Sequence, residues 1–374
     1  MSEQVTAAAR GRTVSPAAAT PATAVVVIGA GLIGASIGCA LTATGRRVHL
    51  RDAAISHARV AATLGAGTTD PPVRDDVALV VVAVPPRAIA DVVTHALQSY
   101  PAATVTDVGS VKAGVLDALW RSDAPLERYV GSHPMAGSQH SGPVTARADL
   151  FQDRTWVITP HRRSESGSVD RVSELARACG AVTVLMDVDD HDAAVARVSH
   201  LPHLMSVLMA GHLTTVPEHH LLLAGQGLRD VTRVAGGDPT LWEQIVGANS
   251  AAVLSELHSV AAELAEVIKA IEAAPQTDEL RARLDRAVLG TRKIPGKHGA
   301  APVTYRQVVV AIPDAPGALA RLFADVAEAG VNVEDISIEH DQVRQVGYLA
   351  LSVTPEQAPG LAATMAERGW NVQL

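Results

Sequence analysis

Cysteine is scarce in this chain, which has two in 374 residues, Cys39 and Cys179. Both occur in apolar segments with helical spacing, which is typical of reduced thiols packed in a core. Such sparing use of cysteine is usual in reducing compartments, and no apolar run is long enough to cross a bilayer. We therefore expect a cytoplasmic protein that has no membrane among its partners.

An excess of basic charge is also absent. The formal net charge is -8 and the isoelectric point is about 6.0, whereas a general nucleic-acid binder usually has a positive field. We expect no nucleic acid among the partners. The apolar fraction of 48% is enough for sizeable cores, and the length predicts two or three domains.

The N-terminal segment, residues 1–22, lacks the apolar core of a secretory signal. It is rich in Ala, Thr, Ser and Pro, and it has Arg10 and Arg12 against a single acid, Glu3. This composition leaves a transit peptide open, but it is more typical of a disordered tail. We predict a disordered tail over residues 1–22.

A glycine-rich turn follows the first apolar strand, Ala24–Ile28. Gly29 permits the tight turn, Gly31 lets a pyrophosphate approach the backbone, and Gly34 lets the strand and the next helix pack closely. The alternative is a glycine turn in an α/β protein that binds no cofactor. The succession of strand, turn, helix and strand favours a dinucleotide site formed by Gly29, Gly31, Leu32, Ile33 and Gly34.

An acid follows the second strand. Asp52 stands where a carboxylate takes the ribose hydroxyls of NAD in this type of site. The preceding residue, Arg51, keeps NADP open, because an arginine there can pair with a 2′-phosphate. The acid beside it favours NAD as the cofactor.

Strands and helices continue to alternate as far as about residue 187. Leu79–Val84 is an apolar run typical of a buried parallel strand, and Thr104–Asp107 and Tyr129–Ser132 are further short strands. We expect a Rossmann-type doubly wound parallel sheet over residues 23–187. Ligands bind beyond the carboxyl ends of such strands, and the positions found there are Gly29, Asp52, Val84, Ser110 and His133.

One histidine stands out at that edge. His133 lies among small and rigid residues in Gly131–Gly137, and an imidazole is the side chain best suited to general acid/base work near neutral pH. The alternative is a strand-end histidine whose nitrogens are satisfied by backbone groups. The segment predicts a catalytic site if a cofactor and a substrate reach it.

Beyond residue 187 the apolar residues recur at helical spacing without strands between them. Residues 188–292 are therefore predicted to form an all-helical domain, whose Ala-, Leu- and Val-rich helices suit packing on a second copy of the chain. The Pro- and Gly-rich segment 293–304 predicts a linker. Residues 305–374 follow the order β-α-β-β-α-β, which is ferredoxin-like.

Five segments together resemble the TyrA family of prephenate and arogenate dehydrogenases, and they occur in the family's order. The C-terminal part resembles an ACT domain, through Asp314–Gly317 and Gly330–Ser337. The combination is more specific than any one motif. The five segments are Gly29–Gly34, Asp107–Lys112, Gly131–Gly137, Ser199–His203 and Gly227–Arg233.

The resemblance implies a prephenate dehydrogenase, which carries out NAD-dependent oxidative decarboxylation of prephenate to 4-hydroxyphenylpyruvate in tyrosine biosynthesis. It implies that His133 accepts or polarises the hydroxyl proton of the substrate. Ser110 would orient that histidine and, with Val84, line the cofactor. A helix N-cap is the other interpretation of Ser110, and the two roles are compatible.

The resemblance also assigns substrate contacts. Arg233 would bind the ring carboxylate, since a guanidinium pairs bidentately with a carboxylate. Ser199 and His203 would face the substrate side chain. Trp242 would reach the site of the partner subunit in a homodimer formed through the helical domain, or it is simply an aromatic of the dimer core. No metal is expected, since no carboxylate set accompanies these histidines.

For the C-terminal part, the resemblance implies feedback regulation by tyrosine. The effector would be held by Asp314, Pro316 and Gly317, whose turn offers backbone groups to an amino acid. An ACT domain that serves only for assembly is the alternative.

Three other functions stay open. Arogenate, the transaminated analogue, would give tyrosine directly, and the segment Gly225–Leu228 departs from the family pattern near the substrate side chain. A β-hydroxy acid dehydrogenase would use a lysine of the helical domain, but no lysine occurs from Asp187 to Ala265, and the first is Lys269. A non-enzymatic sensor of NAD and amino acids has no need for Ser110, His133 and Arg233 together.

Overall fold

The structure is a computed structural model that describes residues 23–137, 142–273, 278–294, 305–313, 315–341 and 346–374. The chain divides into two compact units. The first extends to Leu201 and includes Gly237–Val253, and the second contains Pro202–Gly236 and Leu254–Leu374. The predicted tail, residues 1–22, and most of the predicted linker, residues 295–304, lie outside the described residues.

The first unit is built on a parallel sheet of four strands, in the order β2-β1-β3-β4. Helices follow the strands in alternation, as the sequence predicts. The helices are α1 (Leu32–Ala43), α2 (Ile55–Thr63), α3 (Ile89–Ser99) and α4 (Ala113–Trp120). The strands are β1 (Ala24–Ile28), β2 (Val48–Arg51), β3 (Val77–Val82) and β4 (Thr104–Asp107).

Both faces of this sheet are buried because successive residues of a strand point to opposite sides. Val25 and Val27 of β1 pack in one core, and Val26 between them packs in the other. Leu79 and Val81 of β3 join the first core in the same way. A parallel strand covered on both faces is usually apolar throughout, and this explains the unbroken apolar run of β3.

A second sheet of three strands continues the unit, in the order β5-β6-β7. It differs from the single parallel sheet predicted above, because β5 and β6 are antiparallel whereas β6 and β7 are parallel. An apolar run does not encode strand direction, so the sequence pattern could not show this. The elements are β5 (Gly131–Pro134), β6 (Thr155–Thr159), α5 (Ser166–Ala178) and β7 (Val182–Leu185). The prediction of a doubly wound parallel α/β fold is nevertheless confirmed.

In the described part of residues 188–291, helices alone follow β7, as predicted. One continuous helix was predicted to begin at His191. The structure instead has α6, then a single π-helical turn at Ala196–His200, and then α7. The segment expected to be one helix from Thr240 is broken at Asn249. The helices are α6 (Val188–Val195), α7 (Leu201–His212), α8 (Glu218–Leu221), α9 (Gln226–Thr232), α10 (Pro239–Ala248), α11 (Ser250–Ala273) and α12 (Asp278–Thr291).

The C-terminal residues form an antiparallel sheet in the order β11-β8-β10-β9, with two helices. This is the ferredoxin-like arrangement predicted from the element order. Its apolar core includes Val310, Leu322, Leu349 and Leu361. The elements are β8 (Arg306–Pro313), α13 (Ala318–Glu328), β9 (Asp335–Asp341), β10 (Val346–Val353), α14 (Ala358–Glu367) and β11 (Asn371–Gln373).

No helix among the described residues has the length and apolarity needed to cross a membrane. The predicted domain limits, 23–187, 188–292 and 305–374, stay predictions. The two compact units do not follow those limits, because Gly237–Val253 groups with the parallel sheet.

Candidate active site

Two glycines of the turn after β1 are required by the fold itself. Gly29 has a φ of +99°, and a Cβ there would lie 2.2 Å from the carbonyl oxygen of Ala83. A Cβ on Gly34 would lie 1.9 Å from the carbonyl oxygen of Gly29. Both distances are shorter than any van der Waals contact, so only glycine lets the turn, the helix and β3 pack this closely.

Gly31 is different, because a Cβ there would meet no heavy atom within 4 Å. It caps α1, whose first residue is Leu32, with an extended backbone that other residues also adopt. A side chain at this position would project into open space before the N-terminus of a helix, where an anion is favoured. Leu32 is buried and Ile33 packs against the core, so their side chains serve packing rather than the ligand.

The carboxylate of Asp52 lies against this turn. Its Oδ2 accepts a hydrogen bond of 2.7 Å from the backbone N–H of Ala30, and its Oδ1 accepts one of 2.8 Å from Ala54. Each carboxylate oxygen has a second acceptor site. Asp52 can therefore hold the turn and still accept hydrogen bonds from ribose hydroxyls.

The neighbouring Arg51 is engaged elsewhere. Its guanidinium donates to the backbone carbonyls of Leu50, Thr69 and Asp70, at 3.0, 2.9 and 3.2 Å. These bonds tie the group to the protein backbone.

His133 lies within β5, opposite Val157 of β6, rather than beyond the end of a parallel strand as predicted. The preceding residue anchors it to the carboxyl end of β4, since Ser132 Oγ donates to the carbonyl of Asp107 at 2.8 Å. His133 Nδ1 and His191 Nε2 are 3.0 Å apart. Burial lowers the pKa of His133 well below its usual value, and nearby His191, Lys112 and His200 act in the same direction.

His191 is in turn held by the next residue. Its Nδ1 is 2.8 Å from Asp192 Oδ1, and neither side chain is appreciably exposed. The same carboxylate accepts hydrogen bonds from the backbone N–H groups of Lys112 and Ala113, at 2.9 and 2.8 Å, and so caps α4. Burial raises the pKa of Asp192, but these three donors outweigh it and hold the pKa below the usual value.

A buried ion pair supports the loop between β4 and α4. Lys112 Nζ contacts Asp107 Oδ2 and also donates to the carbonyl of Ser132 at 2.8 Å. Tyr129 donates its hydroxyl to Asp107 Oδ1 at 2.8 Å. These bonds join β4 to the strand that carries His133 and so fix its position relative to the loop.

Ser110 and Val84, both half-buried, follow β4 and β3 at the same edge of the parallel sheet. Among the described residues, the ring of His133 is hydrogen-bonded to His191 and no bond joins it to Ser110. The orienting role of Ser110 and the cofactor contacts of both residues stay predictions.

Asn249 explains the break between α10 and α11. Its side-chain amide donates to the carbonyl of Asp192 at 2.8 Å and lies 3.2 Å from Nδ1 of His200. Trp242 stands edge-on to His200, with ring centroids 6.2 Å apart. Ser199, half-buried, lies in the π-helical turn with His200, and such turns are frequent at functional sites. The substrate roles of Ser199 and Trp242 stay predictions.

The second compact unit contains the two other predicted substrate ligands. His203 is buried in α7, and burial lowers its pKa, although a hydrogen bond with the backbone of Val234 opposes the shift. Arg233 is exposed at the C-terminal end of α9. Their substrate contacts stay predictions.

Of the predicted effector residues, Asp314 lies outside the described residues. Gly317 has a φ of +85° and caps α13, and Pro316 precedes it in the exposed turn after β8. Within the described part of the chain, no group of three or more His, Cys, Asp or Glu side chains could hold a metal ion.

Three residues of the site carried no role in the sequence-based prediction: His191, Asp192 and Lys112. Lys112 belongs to a segment that resembles the family, but nothing in its neighbours shows that it is buried. His191 and Asp192 begin a helix, where a polar pair usually faces solvent. An adjacent His-Asp pair just after the last strand of the α/β region was the available signal.

A parallel α/β unit with a glycine-rich turn, and a hydrogen-bonded histidine beside the carboxyl end of its sheet, define a nucleotide-binding enzyme of the dehydrogenase type. Two family descriptions match the chain. Residues 37–185 match the nucleotide-binding domain of prephenate dehydrogenase, and residues 187–286 match its dimerization domain.

Individual relatives agree. The chain is 34% identical over 355 residues to a probable prephenate dehydrogenase, NovF, of Streptomyces niveus, which covers 92% of this chain and 98% of that protein. The structure of prephenate dehydrogenase from A. aeolicus in complex with hydroxyphenyl propionate and NAD+ has a TM-score of 0.66 at 26% identity, covering 73% of this chain and 99% of that one. Synechocystis arogenate dehydrogenase has a TM-score of 0.61 at 27% identity, covering 72% and 99%. The chain belongs to the prephenate dehydrogenase family.

Proposed function

We propose that this enzyme catalyses the NAD-dependent oxidative decarboxylation of prephenate to 4-hydroxyphenylpyruvate. The observation that carries the proposal is the environment of His133: an imidazole kept neutral by burial and hydrogen-bonded through Nδ1. It is anchored to the sheet edge where the glycine-rich turn lies. A neutral imidazole is the form that can accept a proton from a hydroxyl group.

In the proposed reaction the residues of the chain have separate tasks. His133 accepts the proton of the ring hydroxyl, and Ser110 orients the histidine. Arg233 holds the ring carboxylate that leaves as CO₂, while Ser199, His203 and Trp242 contact the rest of the substrate. NAD⁺ supplies the acceptor for the hydride released from the hydroxyl-bearing carbon.

NAD is proposed over NADP on two observations. Asp52 places a carboxylate beside the turn, and its negative charge would repel a 2′-phosphate. Arg51, the cation able to pair with that phosphate, donates to three backbone carbonyls instead. The cofactor groups would contact Gly29, Gly31 and Gly34, with the pyrophosphate at the open position beside Gly31. The A. aeolicus relative whose structure contains NAD+ supports this choice.

Prephenate is proposed as the substrate, and arogenate is the second candidate because of the likeness to Synechocystis arogenate dehydrogenase. The test is a spectrophotometric assay of reduced cofactor that combines prephenate or arogenate with NAD⁺ or NADP⁺. We expect the highest kcat/KM with prephenate and NAD⁺. A higher value with arogenate would reverse the substrate assignment, and no turnover in any combination would refute the function.

We further propose a homodimer formed through the helical domain, residues 188–292. Helix α11 has four large apolar side chains that are about half exposed in the single chain, Leu254, Leu264, Ile268 and Ile271. Exposed apolar surface of this kind is typical of an interface. Sedimentation equilibrium should give twice the chain mass of 38.8 kDa. A monomer at micromolar concentration would contradict the proposal.

Finally, we propose that residues 305–374 form an ACT domain that binds tyrosine as a feedback inhibitor. The ferredoxin-like sheet supports this, and so does the left-handed glycine, Gly317, that caps α13 beside Pro316. Tyrosine should lower the rate and raise the melting temperature, because a ligand that binds only the folded state stabilises it. If tyrosine changes neither quantity, the domain serves assembly alone.

A further inference from the structure

Three side chains form a continuous hydrogen-bonded line that ends at His133. Asp192 Oδ1 lies 2.8 Å from His191 Nδ1, and His191 Nε2 lies 3.0 Å from His133 Nδ1. The two imidazole rings meet edge-on, with centroids 5.2 Å apart. His191 and Asp192 are 0% and 5% exposed, so water does not compete for these bonds.

The positions of the protons follow from the chemistry of the three groups. An ionised carboxylate only accepts hydrogen bonds. His191 therefore carries a proton on Nδ1, and when neutral it offers a bare Nε2 as an acceptor. His133 must then donate from Nδ1, which leaves its own Nε2 without a proton.

Asp192 is well placed to stay ionised, since it accepts from His191 and from the backbone N–H groups of Lys112 and Ala113. The other charged or titratable groups that face His133 are Lys112, whose charge is paired with Asp107, and His200. Among the described residues, hydrogen bonds connect the ring of His133 to a carboxylate only through His191, which bonds to Asp192.

We propose that His191 and Asp192 are positioning residues that fix His133 as the tautomer with a bare Nε2, the form able to act as a base. This inference rests on the proposed function of His133. In the step, the substrate O–H bond breaks and an N–H bond forms at Nε2 of His133. The C–H electron pair leaves as hydride to NAD⁺, and the electrons of the bond to the carboxylate enter the ring as CO₂ departs. The new imidazolium keeps its Nδ1 proton and donates a hydrogen bond from Nδ1 to Nε2 of His191.

The first test uses Asp192→Asn. An asparagine can still accept from the N–H of Ala113 through its oxygen. An amide NH₂ at the position of Oδ1 would give up the bond from Lys112 and would favour a bare Nδ1 on His191. The proton of His191 would move to Nε2, and His133 would be left protonated on Nε2. By comparison with the loss of the orienting aspartate in serine proteases, we expect kcat to fall about 10- to 1000-fold, with less than about a threefold change in the KM for prephenate.

His191 is tested by a pair of variants. Glutamine can place an amide oxygen near the position of Nε2, whereas asparagine is too short to do so. His191→Gln should therefore keep roughly tenfold more of kcat than His191→Asn, since it restores the acceptor for His133. The matched control is Asp189→Asn, which removes an exposed acid from the first turn of the same helix and should leave kcat unchanged.

A second readout does not depend on turnover. The ¹⁵N spectrum of the imidazole groups in the full-length protein, assigned by comparison with His133→Gln, should show a protonated Nδ1 and a bare Nε2 for His133 at neutral pH. In Asp192→Asn, Nδ1 of His133 should be bare and Nε2 should be protonated. A wild-type His133 protonated on Nε2 would overturn the proposal, and so would Asp192→Asn with unchanged kcat and pH profile. If the wild-type enzyme turns over neither substrate, the proposed function fails, while the spectrum still decides the tautomer.

Discussion

Lys112 and Asp107 form an ion pair at the end of β4 whose side chains are 1% and 0% exposed. The carboxylate also accepts from Tyr129 and from the backbone N–H of Gly109 at 2.9 Å, and the ammonium group donates to the carbonyl of Ser132. The pair therefore sits where the sheet edge, the loop before α4 and the strand of His133 meet.

Removing the cation should leave an uncompensated buried charge. Lys112→Met is expected to lower the free energy of unfolding by about 3–5 kcal/mol, because the carboxylate of Asp107 would lose its partner without gaining water. The measurement is denaturant unfolding. The control is Lys269→Met, which breaks the exposed pair with Glu266 and should cost less than about 1 kcal/mol. If the free energy of unfolding falls equally in the two variants, the buried pair stabilises the fold no more than the exposed pair does.

His133→Asn should remove the base and leave the substrate contacts in place. We expect kcat to fall by about 10²–10⁴-fold, the usual contribution of general acid/base catalysis, with little change in the KM for prephenate. The control is His95→Asn, an exposed histidine of α3. A wild-type rate for His133→Asn would refute the acid/base role.

The pH profile follows from the lowered pKa of His133, which results first from burial and then from the nearby His191, Lys112 and His200. Only the neutral imidazole accepts a proton, so activity is complete above this pKa and is lost as the pH falls through it. The acidic limb of kcat/KM should lie below 6.5, the usual value for histidine. An acidic limb at or above that value, measured with prephenate at saturating NAD⁺, would contradict this assignment.

Arg233→Gln should weaken the binding of the substrate carboxylate. The expected cost is ~2–4 kcal/mol if a desolvated charge pair is broken, which is roughly a 30- to 900-fold increase in the dissociation constant. Binding of prephenate in the absence of turnover gives the direct measurement. Arg281→Gln, an exposed arginine of α12, is the control, and equal affinities in the two variants would exclude Arg233 from the site.

Two glycines of the turn should respond differently to the same change. Gly31→Ala adds a Cβ that meets no protein atom within 4 Å, so it should weaken NAD⁺ binding while the melting temperature stays near that of the wild type. Gly34→Ala places a Cβ 1.9 Å from the carbonyl oxygen of Gly29 and should destabilise the fold. Calorimetric titration with NAD⁺ and a thermal melt distinguish the two effects. Unaltered NAD⁺ affinity in Gly31→Ala would place the pyrophosphate elsewhere.

Local sequence patterns predict most of the fold. The apolar run of β3 and the glycine turn after β1 follow patterns that recur in nucleotide-binding α/β units, so the sequence alone predicts them. The end of α10 was missed because Asn249 fits a helix by its neighbours. In the folded chain its side chain bonds to Asp192 and His200 at the point where the helix ends.

Periodicity, turn chemistry and one glycine motif were enough to specify a nucleotide-binding α/β unit, a helical region and a ferredoxin-like C-terminal part. The resemblance to the family added His133 as the proposed base. The hydrogen-bond partner of His133 was decided by the tertiary structure. Asp192 caps a helix that begins about 80 residues earlier while it holds His191 against His133. A hydrogen bond between distant segments depends on where the folded chain brings its donor and acceptor together, and no local pattern records that position.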